Sequence, residues 1–198
     1  MLTGKRILRS DLHDFGIMDA YIGKVIEDAP CGHSCHSQII RYAEKVDAKL
    51  RAGRGLYLYG GSNKGKSLLA NLVAQSALAQ GHSALVISLS FLSAVRFGGG
   101  FEGGKDAADR FFKRSFMEFL QADFLIIDDL CDALMEERAN YYLKATFHDT
   151  VKYRASCKKP LIVTTRMGLS DTAPCIEGLF GASVADTLRT KCQQVFVG

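Results

Sequence analysis

No run of 18 apolar residues occurs anywhere in this chain of 198, so nothing in it reads as a membrane-spanning helix. The opening stretch, Met1 to Ser10, carries basic side chains but no apolar segment behind them. No secretory leader is visible there, and the cytoplasm is the expected location. Internal repeats and low-complexity tails are also missing. The six cysteines (31, 35, 131, 157, 175 and 192) are mostly isolated, so in a reducing compartment they are expected to be thiols. Charge is nearly balanced, with 25 Lys and Arg against 21 Asp and Glu, a net of +4. Such a balance permits a polyanionic partner without demanding one. What remains, at 47% hydrophobic residues, is a globular chain of single-domain size.

Against these absences one motif stands out. Gly60-Gly61-Ser62-Asn63-Lys64-Gly65-Lys66-Ser67 fills the template G-x-x-x-x-G-K-[S/T], a phosphate-binding loop. Its glycines let the backbone curl so that successive N–H groups point at an anion. Lys66 would set a positive charge against the β- and γ-phosphates, the Ser67 hydroxyl would ligate Mg²⁺, and a helix starting near Leu68 would aim its positive end at the same site. The context fits. Leu56 to Tyr59 is a short apolar strand before the loop, and Leu68, Leu69, Leu72 and Val73 give helical spacing after it, with Gly81 as the helix stop.

Strands and helices then alternate along the chain. Strands are expected at Ala84–Leu89, Phe124–Ile127, Leu161–Thr165 and Val195–Val197. Helices are expected from about Phe91, over the phenylalanine-rich stretch 111–120, along Ala139–Val151, and near Ser183–Lys191. This pattern predicts an α/β fold with a mainly parallel sheet covered on both faces. Ligands of such sheets collect at the carboxyl ends of the strands. Asp128 and Asp129 end the third strand, so they are expected beside Ser67. Asp128 would hold Mg²⁺, and Asp129 would orient or deprotonate a water. Alone, such a pair often just ends a strand or caps a helix; the upstream loop supplies its functional reading.

Several stretches resemble the AAA+ ATPases of the DnaC/IstB type, which are helicase loaders and transposition accessory ATPases. They are Gly55–Gly60, Ala122–Leu130, Tyr153-Arg154, and Lys158–Thr165. Upstream, Gly16-Ile17, Tyr21 and Val25–Asp28 are similar to the segment that lines the adenine pocket in that family. The resemblance implies a P-loop NTPase core with a five-stranded sheet in the order 5-1-4-3-2, and ATP with Mg²⁺. It also implies oligomer-dependent hydrolysis, and single-stranded DNA and a replicative helicase as partners. Ile17 and Tyr21 would contact the adenine. On this reading residues 1–30 lead into the adenine pocket, 31–54 form a basic helix and linker packed on the core, and 55–198 are the AAA+ core.

The pattern is departed from in several places. Arg166 stands where the family usually has the sensor asparagine; it could reach a γ-phosphate or a carboxylate, or simply be a surface arginine, but it cannot copy an amide. Thr187 takes the usual arginine-finger position. Arg189, two residues on and about 200° around the helix, is an alternative trans-acting group. Against the family pattern, Gly198 falls just short of the stretch where a further arginine is expected, and only about 30 residues stand where the amino-terminal docking domain of cellular loaders would lead in. ATP binding is therefore expected more firmly than hydrolysis.

Two other features are open. Cys31, His33, Cys35 and His36 offer potential metal ligands, but no second ligand pair lies nearby, and a polar turn before a helix explains them as well. Lys105, Arg110, Lys113 and Arg114 flank the phenylalanine-rich helix, which suits single-stranded DNA or merely a solvated face. The leading expectation is a helicase-loader-like ATPase of DNA replication, with a transposition accessory ATPase as one alternative. A non-hydrolysing, ATP-gated module is the other alternative. A P-loop small-molecule kinase is disfavoured because no arginine-rich lid is evident.

Overall fold

The computed structural model describes residues 12–98, 113–130, 140–170 and 175–198. Five strands form one sheet: β1 (Gly55–Tyr59), β2 (Ala84–Ser88), β3 (Phe124–Asp128), β4 (Leu161–Thr165) and β5 (Cys192–Phe196). Their order is β2-β3-β4-β1-β5 and every pairing is parallel. Read from the other edge this is 5-1-4-3-2, as the resemblance implied.

The strands are continuous apolar runs because both faces are covered, and the pleat sorts their side chains by period two. Leu56, Leu58, Ile126 and Ile162 enter one core; Tyr57, Leu125, Ile127, Leu161 and Val163 enter the other. The first core is closed by α1 (His33–Ala43) and α3 (Lys66–Ala79), with α2 (Val46–Ala52) between α1 and β1. The second is closed by α4 (Leu89–Arg96), α5 (Phe116–Gln121), α6 (Asn140–Ser156), α7 (Ile176–Phe180) and α8 (Ala182–Lys191). Helix α3 is apolar nearly all round because it is covered nearly all round, by the sheet beneath and by α1 and the amino-terminal segment outside.

Residues 12–30 act as a strap along α3. The Phe15 carbonyl accepts the Val86 N–H at 2.9 Å, which pairs an otherwise open β2 edge. Farther on, the Gln75 side-chain amide donates to the Tyr21 carbonyl at 3.1 Å.

Two elements differ from the sequence expectation. Strand β5 begins at Cys192, three residues before Val195, because Gln193 and Gln194 belong to an edge strand where polar side chains are tolerated. Helix α5 starts at Phe116 because Ser115 caps it: the Ser115 hydroxyl accepts the Glu118 N–H, and the Glu118 carboxylate accepts the Ser115 N–H at 2.7 Å. Phe111 and Phe112, which the apolar spacing places in the same helix, lie outside the described residues.

At the amino end of the sheet Arg154 is fully buried. Its guanidinium donates to the carbonyls of Leu120, Ala122, Asp123 and Pro160, tying the end of α5 to the starts of β3 and β4. Burial pushes its pKa down to about 9, which still leaves it charged at neutral pH.

Candidate functional site

The loop between β1 and α3 depends on two glycines. At Gly60, φ is +146° and a Cβ would fall 2.1 Å from the Val197 carbonyl oxygen. Gly65 has φ +87°, and its missing Cβ lets Ala29 and Pro30 pack directly on the loop, 2.9 Å and 3.0 Å from where that atom would lie. The loop thus rests on the carboxyl-terminal strand below and against the strap at its side. Lys66, mostly buried, donates from Nζ to the Gly60 carbonyl at 3.0 Å and to the Gly61 carbonyl at 2.5 Å. The cation is held at the mouth of the loop by acceptors that compete poorly with phosphate.

In front of the loop lies a cavity of about 500 Å³, within the size range of nucleotide and cofactor sites. Ser62, Asn63, Lys64, Gly65, Lys66, Ser67 and Leu68 line its floor; Tyr21, Asp28 and Pro30 form the strap wall; Asp129, Thr164 and Arg166 come from the strand ends.

At the strand ends Thr164 links the two aspartates. Its hydroxyl donates to Asp128 Oδ1 at 2.5 Å and accepts the Asp129 N–H at 2.8 Å. The Leu130 N–H adds a bond to the Thr164 carbonyl at 3.0 Å. Asp129 takes φ +50°, so the chain turns sharply there and leaves Asp129 on the cavity wall, with Asp128 half-buried behind Thr164. The sequence presented Thr164 only as a strand residue; its role needs β3 and β4 side by side.

Tyr21 sits on the strap wall of the cavity. Its side chain makes a hydrogen bond with Ser67 and feels the charges of Asp128 and Asp129. Burial, then the Asp128 carboxylate, raises the phenol above its ordinary pKa against that bond. Tyr21 therefore stands at the Ser67 end of the cavity. Ile17 is buried in the first core and is not among the lining residues. Asp28, at the end of the Val25–Asp28 stretch of the resemblance, has its carboxylate accept the Val25 N–H at 3.0 Å and stands on the wall, as does Pro30, which the sequence did not mark as a site residue.

Arg166 lines the cavity. Arg189 does not: it is exposed on α8, bound to the Asp186 carboxylate and to the Ser170 hydroxyl at 3.2 Å. Thr187 receives Lys152 Nζ at 3.0 Å. The Cys31 and Cys35 thiols contact each other, and His36 meets the Ala29 carbonyl at 3.0 Å. Among the described residues no three ligand-type side chains gather to hold a metal ion. Lys105 and Arg110 lie outside the described residues, Lys113 is exposed, and Arg114 donates to the Asp14 carbonyl at 3.3 Å. Close by, Phe97, Tyr141 and Tyr142 are exposed, with Tyr142 meeting both other rings edge-on, and the Arg96 guanidinium lies over Phe97 and Phe116.

The residues fit Mg²⁺–ATP in chemistry. A hydroxyl (Ser67) and a carboxylate (Asp128) are the hard oxygen ligands Mg²⁺ takes, and the curled loop with Lys66 is a cradle for polyphosphate.

Strand order, phosphate loop and carboxylate pair together are those of an α/β AAA+ P-loop fold. No family model matches the chain, and no characterised protein matches it by sequence. Solved structures match in three dimensions. A crystal structure of the DnaC helicase loader has a TM-score of 0.68 at 17% identity, covering 91% of this chain and 100% of that one. DnaI follows with 0.67 at 17% identity, covering 92% and 95%. The replication initiator DnaA, bound to AMPPCP and single-stranded DNA, has 0.62 at 14% identity over 91% of this chain and 50% of its own. The fold is that of the DnaC-like helicase-loader AAA+ proteins.

Proposed function

We propose that this chain is a Mg²⁺-dependent ATPase of DNA replication that acts as a helicase-loader-like factor. The carrying observation is the cavity itself: a phosphate loop faces Asp129, Thr164 and Arg166 on a DnaC-like fold. Lys66 and the loop N–H groups would hold the triphosphate, and Ser67 and Asp128 the magnesium, which neutralises phosphate charge when bound. Asp129 would orient the attacking water, and Thr164 would fix both aspartates. Single-stranded DNA and a replicative helicase are the proposed partners, and the protein works as a homo-oligomer in the cytoplasm. Among the described residues no helix is long and apolar enough to cross a membrane.

The exposed Phe97, Tyr141 and Tyr142 with Arg96 over Phe97 support the single-strand reading, because stacked bases add roughly 1–3 kcal/mol each to a phosphate-binding surface. A second reading, an ATP-gated module without turnover, is favoured by Arg189. That side chain is engaged by Asp186 within its own subunit, and a trans-acting group must leave such a contact.

ATP turnover measured across protein concentration, with and without single-stranded DNA, tests the proposal. Stimulated, concentration-dependent turnover that Lys66→Ala abolishes is the expected result. Tight ATP binding with no turnover under any condition would leave the gated module.

A further inference from the structure

The amino ends of β1, β4 and β5 carry a surface of one sign. Gly55 pairs with Cys192 on one side, and Leu56 with Ile162 on the other, so the three strands start level. Arg54 and Lys191 stand immediately before β1 and β5, and Lys158-Lys159 precede β4 with Pro160 between. At a strand spacing of about 4.8 Å these backbone positions fall within roughly 10 Å. Contacts confirm the juxtaposition. A Cβ on Gly53 would lie 2.8 Å from Lys158 Cα, and Lys159 and Lys191 line one small cleft. Helix α2 adds Arg51 and Lys49, whose Nζ reaches Gln193 Oε1 at 3.3 Å.

Little negative charge answers them. Asp123 lies 3.8 Å from Lys159, and Asp47 pairs with His82 at 2.6 Å. Among the described residues, Lys49, Arg51, Arg54, Lys158 and Lys191 have no carboxylate within salt-bridge distance. Burial lowers the Lys49 ammonium below its ordinary pKa, and repulsion from Arg54 and Lys45 adds to the effect. Cations gathered against their own repulsion bind a polyanion favourably.

We propose that this end of the sheet is a docking surface for the phosphodiester backbone of nucleic acid, distinct from the ATP cavity. The strands run about 16 Å from this edge to the carboxyl ends that carry Thr164 and Asp129. A protein partner would call for an apolar centre, and lysine is depleted from such centres. Here the nearby aromatic, Tyr42, is buried and spends its hydroxyl on the Arg54 carbonyl at 2.5 Å, which leaves phosphates rather than bases as the group recognised. The inference rests on the charge layout and does not require the loader reading.

The test is fluorescence anisotropy of the full chain with an oligothymidylate and with a duplex of equal length, at several salt concentrations. The variant is Arg51→Glu/Lys158→Asn/Lys191→Glu; asparagine is chosen because Lys158 has φ +52°. We expect affinity to fall roughly tenfold to hundredfold, and the slope of log K against log salt to shrink by about 2–3, with ATP affinity and thermal midpoint unchanged. Equal losses on both nucleic acids support backbone recognition. Unchanged affinity and slope on both overturn it, as does a wild type that binds neither. Tyr141→Ala/Tyr142→Ala separates the proposals: if it alone abolishes single-strand binding, the aromatic surface stands and the basic docking surface fails.

Discussion

The two ends of the central sheet treat polar groups in opposite ways. At the amino end Arg154 is turned inward, and its donors are all spent on main-chain carbonyls. At the carboxyl end Lys66, Thr164 and Asp129 are tied from behind but still face a cavity. A closed network of this kind stabilises the fold and can do nothing else. An open one keeps bonding capacity for a ligand, and its supporting bonds set geometry more than stability.

The contrast is broken most directly at Arg154. Arg154→Leu leaves the carbonyls of Leu120, Ala122, Asp123 and Pro160 without their donor, and urea denaturation should show a loss of about 3–5 kcal/mol. ATP affinity per folded molecule should stay the same. An Arg154→Leu protein with the wild-type urea midpoint would mean that the amino end is no staple.

Thr164→Val probes the other end. The shape is kept while the donor to Asp128 and the acceptor for the Asp129 N–H are lost. Steady-state turnover should fall roughly 10- to 100-fold, as for other residues that orient a metal ligand, with stability changed by no more than about 1.5 kcal/mol. A large drop in stability with normal turnover would make Thr164 another Arg154.

The smallest effect is expected at Tyr21. Tyr21→Phe keeps the ring and removes only the hydroxyl bonded to Ser67. The Mg²⁺ concentration for half-maximal ATP binding should shift by about two- to tenfold, the worth of one hydrogen bond. No shift would leave Tyr21 with its ring alone, the part the adenine expectation relies on.

These residues also mark how far the sequence could be read. The phosphate loop and the Asp128-Asp129 pair are contiguous, so their chemistry shows in the string, and the apolar runs place all five strands to within a few residues. Strand order was legible only through the resemblance, since nothing local in Val195 says that β5 pairs with β1. Thr164 and Arg154 were hidden for one reason: each acts on partners some 30 residues away, Asp128 in one case and Leu120 to Asp123 in the other. Tyr21 was noticed as a ring, whereas its hydroxyl meets Ser67 only because the strap runs along α3.

Strand β1 lies between β4 and β5, and the Val197 N–H bonds the Tyr59 carbonyl at 2.8 Å beneath Gly60. Both neighbours are encoded more than a hundred residues later. A ribosome-bound chain that has emitted the phosphate loop therefore has no floor to set it on until residues 161–197 emerge. Affinity for ATP should arise in a single late step of synthesis, slow for a chain of this size because its central pairings are so distant in sequence.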